Sequence, residues 1–145
     1  MGAPLLQQIQ QGCDDLALTL SEKQRQQLLS YVTLLAKWNK VYNLTSVRDI
    51  DVMVSRHLLD SVSVLPFLDG HSVLDVGYGA GLPGIPIAIA RPDIAVTLLD
   101  SNSKKTRFLQ QAKAELALDN VTVIHERIEQ AKLPVFDLVT ARAFS

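Results

Sequence analysis

The sequence predicts an α/β protein, a Rossmann-like parallel sheet with helices ahead of it, and three observations predict it. From Ser72 onward, apolar runs of strand length alternate with helix-length segments. The first run ends in a glycine-rich turn, VLDVGYGAGLPGIP at residues 73–86. The chain before Ser72 carries helical periodicity instead.

Residues 20–68 open with Ser21 and Gln24 as a capping box, and Leu28, Val32, Leu35 and Trp38 then recur at helical spacing beside Tyr31 and Leu34. A second helical segment starts at Asp49 as N-cap and keeps Ile50, Val54, Leu58 and Leu65 on one stripe until Pro66. Residues 41–47 between them read as a loop or a short extended piece. Four strands follow, at residues 72–76, 95–99, 121–125 and 136–140, with a helix at 103–118 joining the second to the third. The connection at 126–135 is short, a turn or two of helix before Pro134. Right-handed crossovers then give the order 3-2-1-4, with a switch point between strands one and four where ligands bind at the carboxyl ends. The division expected is a helical region at 1–70 and a cofactor-binding half at 71–145, packed as one unit.

At 145 residues the chain has room for one domain or part of a larger one. Hydrophobic residues make up 48% and charged residues 20%, the balance of a soluble globular protein. The longest stretch without plainly polar side chains, residues 80–90, is broken by Gly and Pro and falls short of the ~20 residues a spanning helix needs. The first residues lack the basic start and apolar centre of a secretory signal, so a cytoplasmic location is expected. Cys13 is the one cysteine, which excludes an internal disulfide or a cysteine-based zinc site, and no metal site is expected. With 14 basic and 15 acidic residues, any RNA contact has to be local rather than a property of the overall field.

In the turn, Gly77, Gly79 and Gly81 remove side chains where the chain leaves the sheet, which suits close approach of a ligand and also suits tight packing alone. Two cofactor patterns compete. Residues 79–84 fit G-x-G-x-x-G, whereas Asp75, Gly77, Gly79 and Gly81 fit the acid-plus-alternating-glycine pattern of S-adenosylmethionine enzymes. Counted from the strand end the first glycine is Gly77, and dinucleotide spacing would then need glycine at Leu82. Asp75 also offers a partner for a cationic amino group, which S-adenosylmethionine carries. Asp100 closes strand two, 19 residues after Gly81, where an acid accepts ribose hydroxyls in either cofactor class or serves as a loop acid or N-cap. At the end of strand three, Arg127, Ile128 and Glu129 are placed to border an adenine.

Residues 140–145, TARAFS, contain no Asn/Asp-Pro-Pro-aromatic turn of the kind amino-group methyltransferases use, and Cys13 lies far from the motif region. An acceptor that is already nucleophilic, such as guanine N7, needs alignment rather than a catalytic base. Lys104, Lys105 and Arg107 oppose the dipole of their helix at roughly 0.3–1 kcal/mol each, which fits RNA phosphate contact or a solvated helix face. Arg142, just past strand four, is placed to touch cofactor or phosphate, or to form a structural ion pair. His57, Asp60 and Ser61 have the residue types of a hydrolytic triad, but they lie on one helix without a nucleophile elbow, so a buried polar cluster or an i,i+4 hydrogen bond is expected.

The segments WNKVYNLTSVRD (38–49), RHLLDS (56–61), VLDVGYGAGLPGIP, TLLDSNSKKTRFL (97–109) and FDLVTARAF (136–144) together resemble the bacterial RsmG family, also called glucose-inhibited division protein B. Its members are 16S ribosomal RNA guanine-N7 methyltransferases. The resemblance implies a Rossmann-like class I S-adenosylmethionine-dependent methyltransferase fold and methyl transfer from S-adenosylmethionine to a guanine of 16S rRNA, with 16S rRNA or the small ribosomal subunit as partner. It places cofactor contacts on Gly77, Leu82, Ile128, Glu129 and Arg142. The chain departs from the family at Tyr78, where Thr or Ser is usual, and it ends at Ser145 whereas the family continues. A partial member with a cofactor half, weakly active or inactive alone, is therefore expected. The alternative is a non-catalytic adenosine- or dinucleotide-binding module.

Overall fold

A computed structural model describes residues 2–77 and 80–141. The expectations for Tyr78, Gly79 and Arg142 lie outside these residues.

The first helix, α1 (Gly2–Asp15), precedes the region in which helical signals were expected. Its core stripe is narrow: Leu5, Ile9 and Cys13, four residues apart, are buried while glutamines occupy much of the rest. Helix α2 (Glu22–Tyr42) opens on the expected capping box, in which the Ser21 hydroxyl accepts from the Gln24 N–H at 3.1 Å and the Gln24 side chain accepts from the Ser21 N–H at 2.8 Å. It buries Leu28, Tyr31, Val32, Leu34 and Leu35 and stops at Asn43, whose φ of 52° ends the helix. Residues 41 and 42 are thus still helical, and the loop begins after them.

Asp49 is the N-cap expected, accepting from the Asp51 N–H at 2.8 Å. The segment it starts is not a uniform α-helix: α3 (Ile50–Val52) passes into a π-helical stretch, Met53–Leu59, then α4 (Asp60–Val62) and a 3₁₀ turn, Leu65–Phe67. The wider turn carries Met53, Val54, His57 and Leu58 to the buried side.

Four strands, β1 (Ser72–Val76), β2 (Ala95–Asp100), β3 (Val121–His125) and β4 (Leu138–Thr140), form one parallel sheet in the order β3-β2-β1-β4. Strand β4 starts two residues later than the apolar run because Asp137 uses its side chain on β1: its carboxylate accepts from the His71 and Ser72 N–H groups at 2.6 and 3.0 Å. These two bonds hold the Asp137 carboxyl below the usual carboxylate range. Helix α5 (Gly84–Ala90) joins β1 to β2, and α6 (Ser103–Leu116) joins β2 to β3, ending at Ala117 with φ 53°. Between β3 and β4 the expected helical piece is a single hydrogen-bonded turn, with Gln130 and Ala131 N–H groups donating to Arg127 O.

Every residue of α5 is buried, which explains its unbroken apolar sequence GIPIAIA. Helices α5 and α6 cover the sheet, and α2 crosses both, with the Tyr31 and Trp38 rings 6.4 and 5.7 Å from Phe108. One core joins Ile9, Leu28, Leu58, Ile85, Leu98 and Phe108, so the helical region and the sheet share their interior. Among the described residues no helix is long and apolar enough to cross a membrane, and no cluster of His, Cys, Asp and Glu could hold a metal ion.

Candidate functional site

The carboxyl ends of β1, β2 and β3 meet a cleft of about 270 Å³. Its floor is the junction of Gly77 and Asp100. The Gly77 N–H donates to Leu99 O at 2.6 Å, extending the β1–β2 ladder one residue past the strand. A Cβ at Gly77 would lie 2.8 Å from Asp100 Oδ2 and 3.1 Å from Leu99 O, so only bare backbone fits beside the acid.

Asp100 is 6% exposed. Its Oδ1 accepts from the Asn102 N–H at 2.8 Å, whereas Oδ2 is buried with no hydrogen-bond partner among the described residues. Burial raises its carboxyl above the usual range, opposed by the Asn102 N–H and by the charges of Lys105 and His125. A carboxylate held this way keeps one acceptor without a donor, an uncommon state for a buried polar atom. Val76, Leu99, Ser101, Glu126, Arg127, Ile128 and Glu129 complete the wall, with the Ile128 side chain 47% exposed.

Five of the residues expected at the site thus come together: Gly77, Asp100, Arg127, Ile128 and Glu129. Asp75 lies beneath the turn rather than on the cleft wall. It is 1% exposed, its Oδ2 accepts from the Gly84 N–H at 3.0 Å, and its Oδ1 is 3.5 Å from the Thr140 hydroxyl. The acid therefore ties the start of α5 to β1 and β4. Gly81, with φ 74°, and Leu82, 4% exposed, also face the interior: a Cβ at Gly81 would meet Ile85 Cδ1 at 2.6 Å and Leu109 Cδ2 at 2.9 Å.

The sequence reading passed over Val76, Leu99, Ser101 and Glu126 as wall residues, although their places at or just after strand ends were a usable signal. It also missed the support for the turn. The Tyr31 hydroxyl, fully buried, donates to Ala80 O at 2.5 Å, and both burial and the Asp75 charge hold its pKa well above the ordinary value. Nothing local to Tyr31 marks a bond to a residue so distant in sequence.

The basic residues of α6 do not line this cleft, although the Lys105 charge acts on Asp100. Asn102 caps the helix, its side chain accepting from the Lys104 and Lys105 N–H groups at 2.9 and 3.1 Å. Lys104 Nζ stands 5.9 Å from the Tyr42 ring centroid, and Arg107 lines a second cleft with Trp38 and His125. Arg127 belongs to the first cleft instead. No triad forms from His57, Asp60 and Ser61: the Ser61 hydroxyl donates to the His57 carbonyl at 2.6 Å, His57 Nε2 is 2.8 Å from the Thr45 hydroxyl, and Asp60 is exposed.

A parallel sheet ordered β3-β2-β1-β4, with a glycine turn after β1 and an acid closing β2 against it, is the class I methyltransferase arrangement. Residues 24–145 match the family model GidB, described as rRNA small subunit methyltransferase G, and the chain belongs to that family. Among curated proteins it is similar to ribosomal RNA small subunit methyltransferase G of Pseudomonas syringae pv. tomato, 56% identical over 140 residues, 96% of this chain and 66% of that protein. The protein of the same name from Ectopseudomonas mendocina is 57% identical over 143 residues, with 96% and 66% covered. That from Pseudomonas aeruginosa is 53% identical over 141 residues, with 95% and 65% covered. The chain spans about two thirds of the length of these relatives.

Proposed function

We propose that the chain is the cofactor-binding part of an enzyme that transfers methyl from S-adenosylmethionine to N7 of a guanine in 16S rRNA, acting in the cytoplasm on the RNA or the small subunit. The observation that carries the cofactor assignment is the buried, unpartnered Oδ2 of Asp100 facing bare backbone at Gly77. These residues fit an adenosine. Asp100 accepts the ribose hydroxyls, Gly77 lets the backbone lie against the acid, and Ile128 with the polar groups around Glu129 borders the base. When bound, S-adenosylmethionine supplies a methyl group activated on a sulfonium.

The residues themselves bind and orient. Guanine N7 offers an unprotonated lone pair, so no side chain has to remove a proton, and alignment carries the rate. Arg142 is assigned a contact to cofactor or substrate, and Gly79 a place in the same turn. Asp75 supports the turn through the Gly84 N–H, and Gly81 and Leu82 support it by packing.

The dinucleotide alternative meets a specific obstacle. A pyrophosphate would need free N–H groups at the start of α5. There the Gly84 N–H is taken by Asp75, whose buried carboxylate adds negative charge where the phosphates would sit, and the Ile85 N–H is taken by Gly81 O. Calorimetric titration with S-adenosylmethionine, S-adenosylhomocysteine and NAD tests the choice. Binding of the first two, lost in Asp100→Ala, is expected; preference for NAD would reverse the assignment.

A further inference from the structure

A second cleft lies across the Ser101–Ser103 turn from the first, between α2 and α6. Its described wall includes Trp38, Arg107, Gln110, Gln111 and His125, and no carboxylate. The first cleft, by contrast, carries Asp100, Glu126 and Glu129. Beside these three acids the first cleft has one cation, Arg127, whereas the described lining of the second has Arg107 and no acid, so the second wall is the more favourable of the two for a phosphodiester chain.

The chemistry of that wall is specific. The single salt bridge among the described residues is Arg91–Asp93, so the exposed Arg107 guanidinium is not neutralised by an acid and keeps its planar donors for an anion. Trp38 is half-buried, its ring propped edge-on by Phe108 at 5.7 Å and tilted against Tyr42 at 5.4 Å, so it is held rigid while part of it faces the cleft. Gln110 is exposed beside it, and an amide side chain both donates to and accepts from base edges, while the Gln111 amide donates to Glu115 Oε1 at 2.7 Å. His125 Nε2 donates to Ser101 O at 3.0 Å, and Ser101 also lines the first cleft, so one hydrogen bond joins the two walls.

We propose that this second cleft is a contact for single-stranded RNA, with a base stacked on Trp38 and a flanking phosphate held by Arg107. The inference rests on the reading that the chain acts on RNA and adds where the RNA is held outside the methyl-donor cleft. An aromatic platform beside an unpaired guanidinium is how single strands are bound, whereas a duplex keeps its bases stacked on each other.

Trp38 is the one tryptophan of the chain, so its emission reports the contact without any mutation. The chain is titrated with a fluorescein-free 12-nucleotide single-stranded RNA while Trp38 emission is read, and with a labelled copy of the same RNA read by anisotropy. Polyglutamate of matched charge and an RNA duplex serve as competitors, and S-adenosylhomocysteine calorimetry is run on the same samples. Saturable quenching is expected, with the midpoint moved about three- to tenfold in Arg107→Gln and the salt slope reduced by about 0.7. Trp38→Leu weakens RNA binding by about fivefold or more, and Trp38→Phe restores most of it. Arg107 is exposed, so its variant is informative even where a Trp38 variant does not fold. RNA binding with Trp38 emission unchanged and Arg107→Gln equal to the parent overturns the inference and leaves the methyl-donor reading intact. Quenching by polyglutamate or duplex as strong as by single strands overturns it too. If no RNA binds at all, both the inference and the RNA reading fall, while calorimetry still reports the donor cleft separately.

Discussion

Gly77 and Gly81 belong to one glycine turn, and different surroundings keep each of them bare. At Gly77 a side chain is excluded by the Asp100 carboxylate and Leu99 O, on the wall of a cleft. At Gly81 the space is already filled by Ile85 and Leu109, and the backbone sits at φ 74°. The front of the turn borders an open cleft, the back the packed interior. The two acids differ as well: Asp100 keeps a buried oxygen beside Gly77 with no hydrogen-bond partner among the described residues, while Asp75 binds the start of α5. A spacing pattern in the sequence therefore marks the turn without telling which residues face the ligand.

The back of the turn can be broken most severely. Gly81→Ala combines a strained φ with a Cβ 2.6 Å from Ile85, and an unfolding free energy lower by about 2–4 kcal/mol is expected in urea titrations. Asp75→Ala leaves the buried Gly84 N–H without its acceptor and should cost about 1–3 kcal/mol. In Asp75→Asn an acceptor remains, so S-adenosylhomocysteine affinity should stay near that of the parent. A collapse of affinity in a folded Asp75→Asn protein would put Asp75 on the ligand after all. Tyr31→Phe, which removes the hydrogen bond to Ala80 O, should lower stability by about 1 kcal/mol with affinity little changed.

The front of the turn responds with the opposite sign. Asp100 has a raised carboxyl pKa, so the folded state holds its proton more tightly than the unfolded chain does. Its ionised form is then a cost that sets in as pH rises above the unfolded value near ~3.9 and is complete above the folded value. Asp100→Asn removes that cost while keeping an acceptor for the Asn102 N–H. At pH 7 it should raise stability, with the difference fading toward pH ~3, while binding of the methyl donor falls. A loss of stability in Asp100→Asn would show that the carboxylate serves the fold rather than a ligand.

Much of the fold was legible because it rests on local patterns. The capping box at Ser21, the N-cap at Asp49 and the four apolar runs each have a short-range cause, and right-handed crossovers then leave the order β3-β2-β1-β4. What escaped had long-range causes. Helix α1 is fixed by burial of three residues against the rest of the core rather than by a strong stripe. The π-helical stretch at Met53–Leu59 has no spacing signature distinct from an α-helix, and β4 is shortened by a side chain reaching back to His71 and Ser72. Within the site, Asp100 was readable from its position at a strand end. The inward turn of Asp75 was not, because it depends on where α5 begins in space.

The assignment of the cleft stands on Asp100 meeting ribose hydroxyls, and a thermodynamic cycle reads that contact alone. S-adenosylhomocysteine and its 2′,3′-dideoxy analogue are each titrated into the parent chain and into Asp100→Ala. The expected result is that removing the hydroxyls weakens binding to the parent by at least about tenfold and scarcely affects the variant, since a charge-assisted hydrogen bond is worth ~1.5–3 kcal/mol. Equal losses in both proteins would mean that Asp100 and the ribose do not meet.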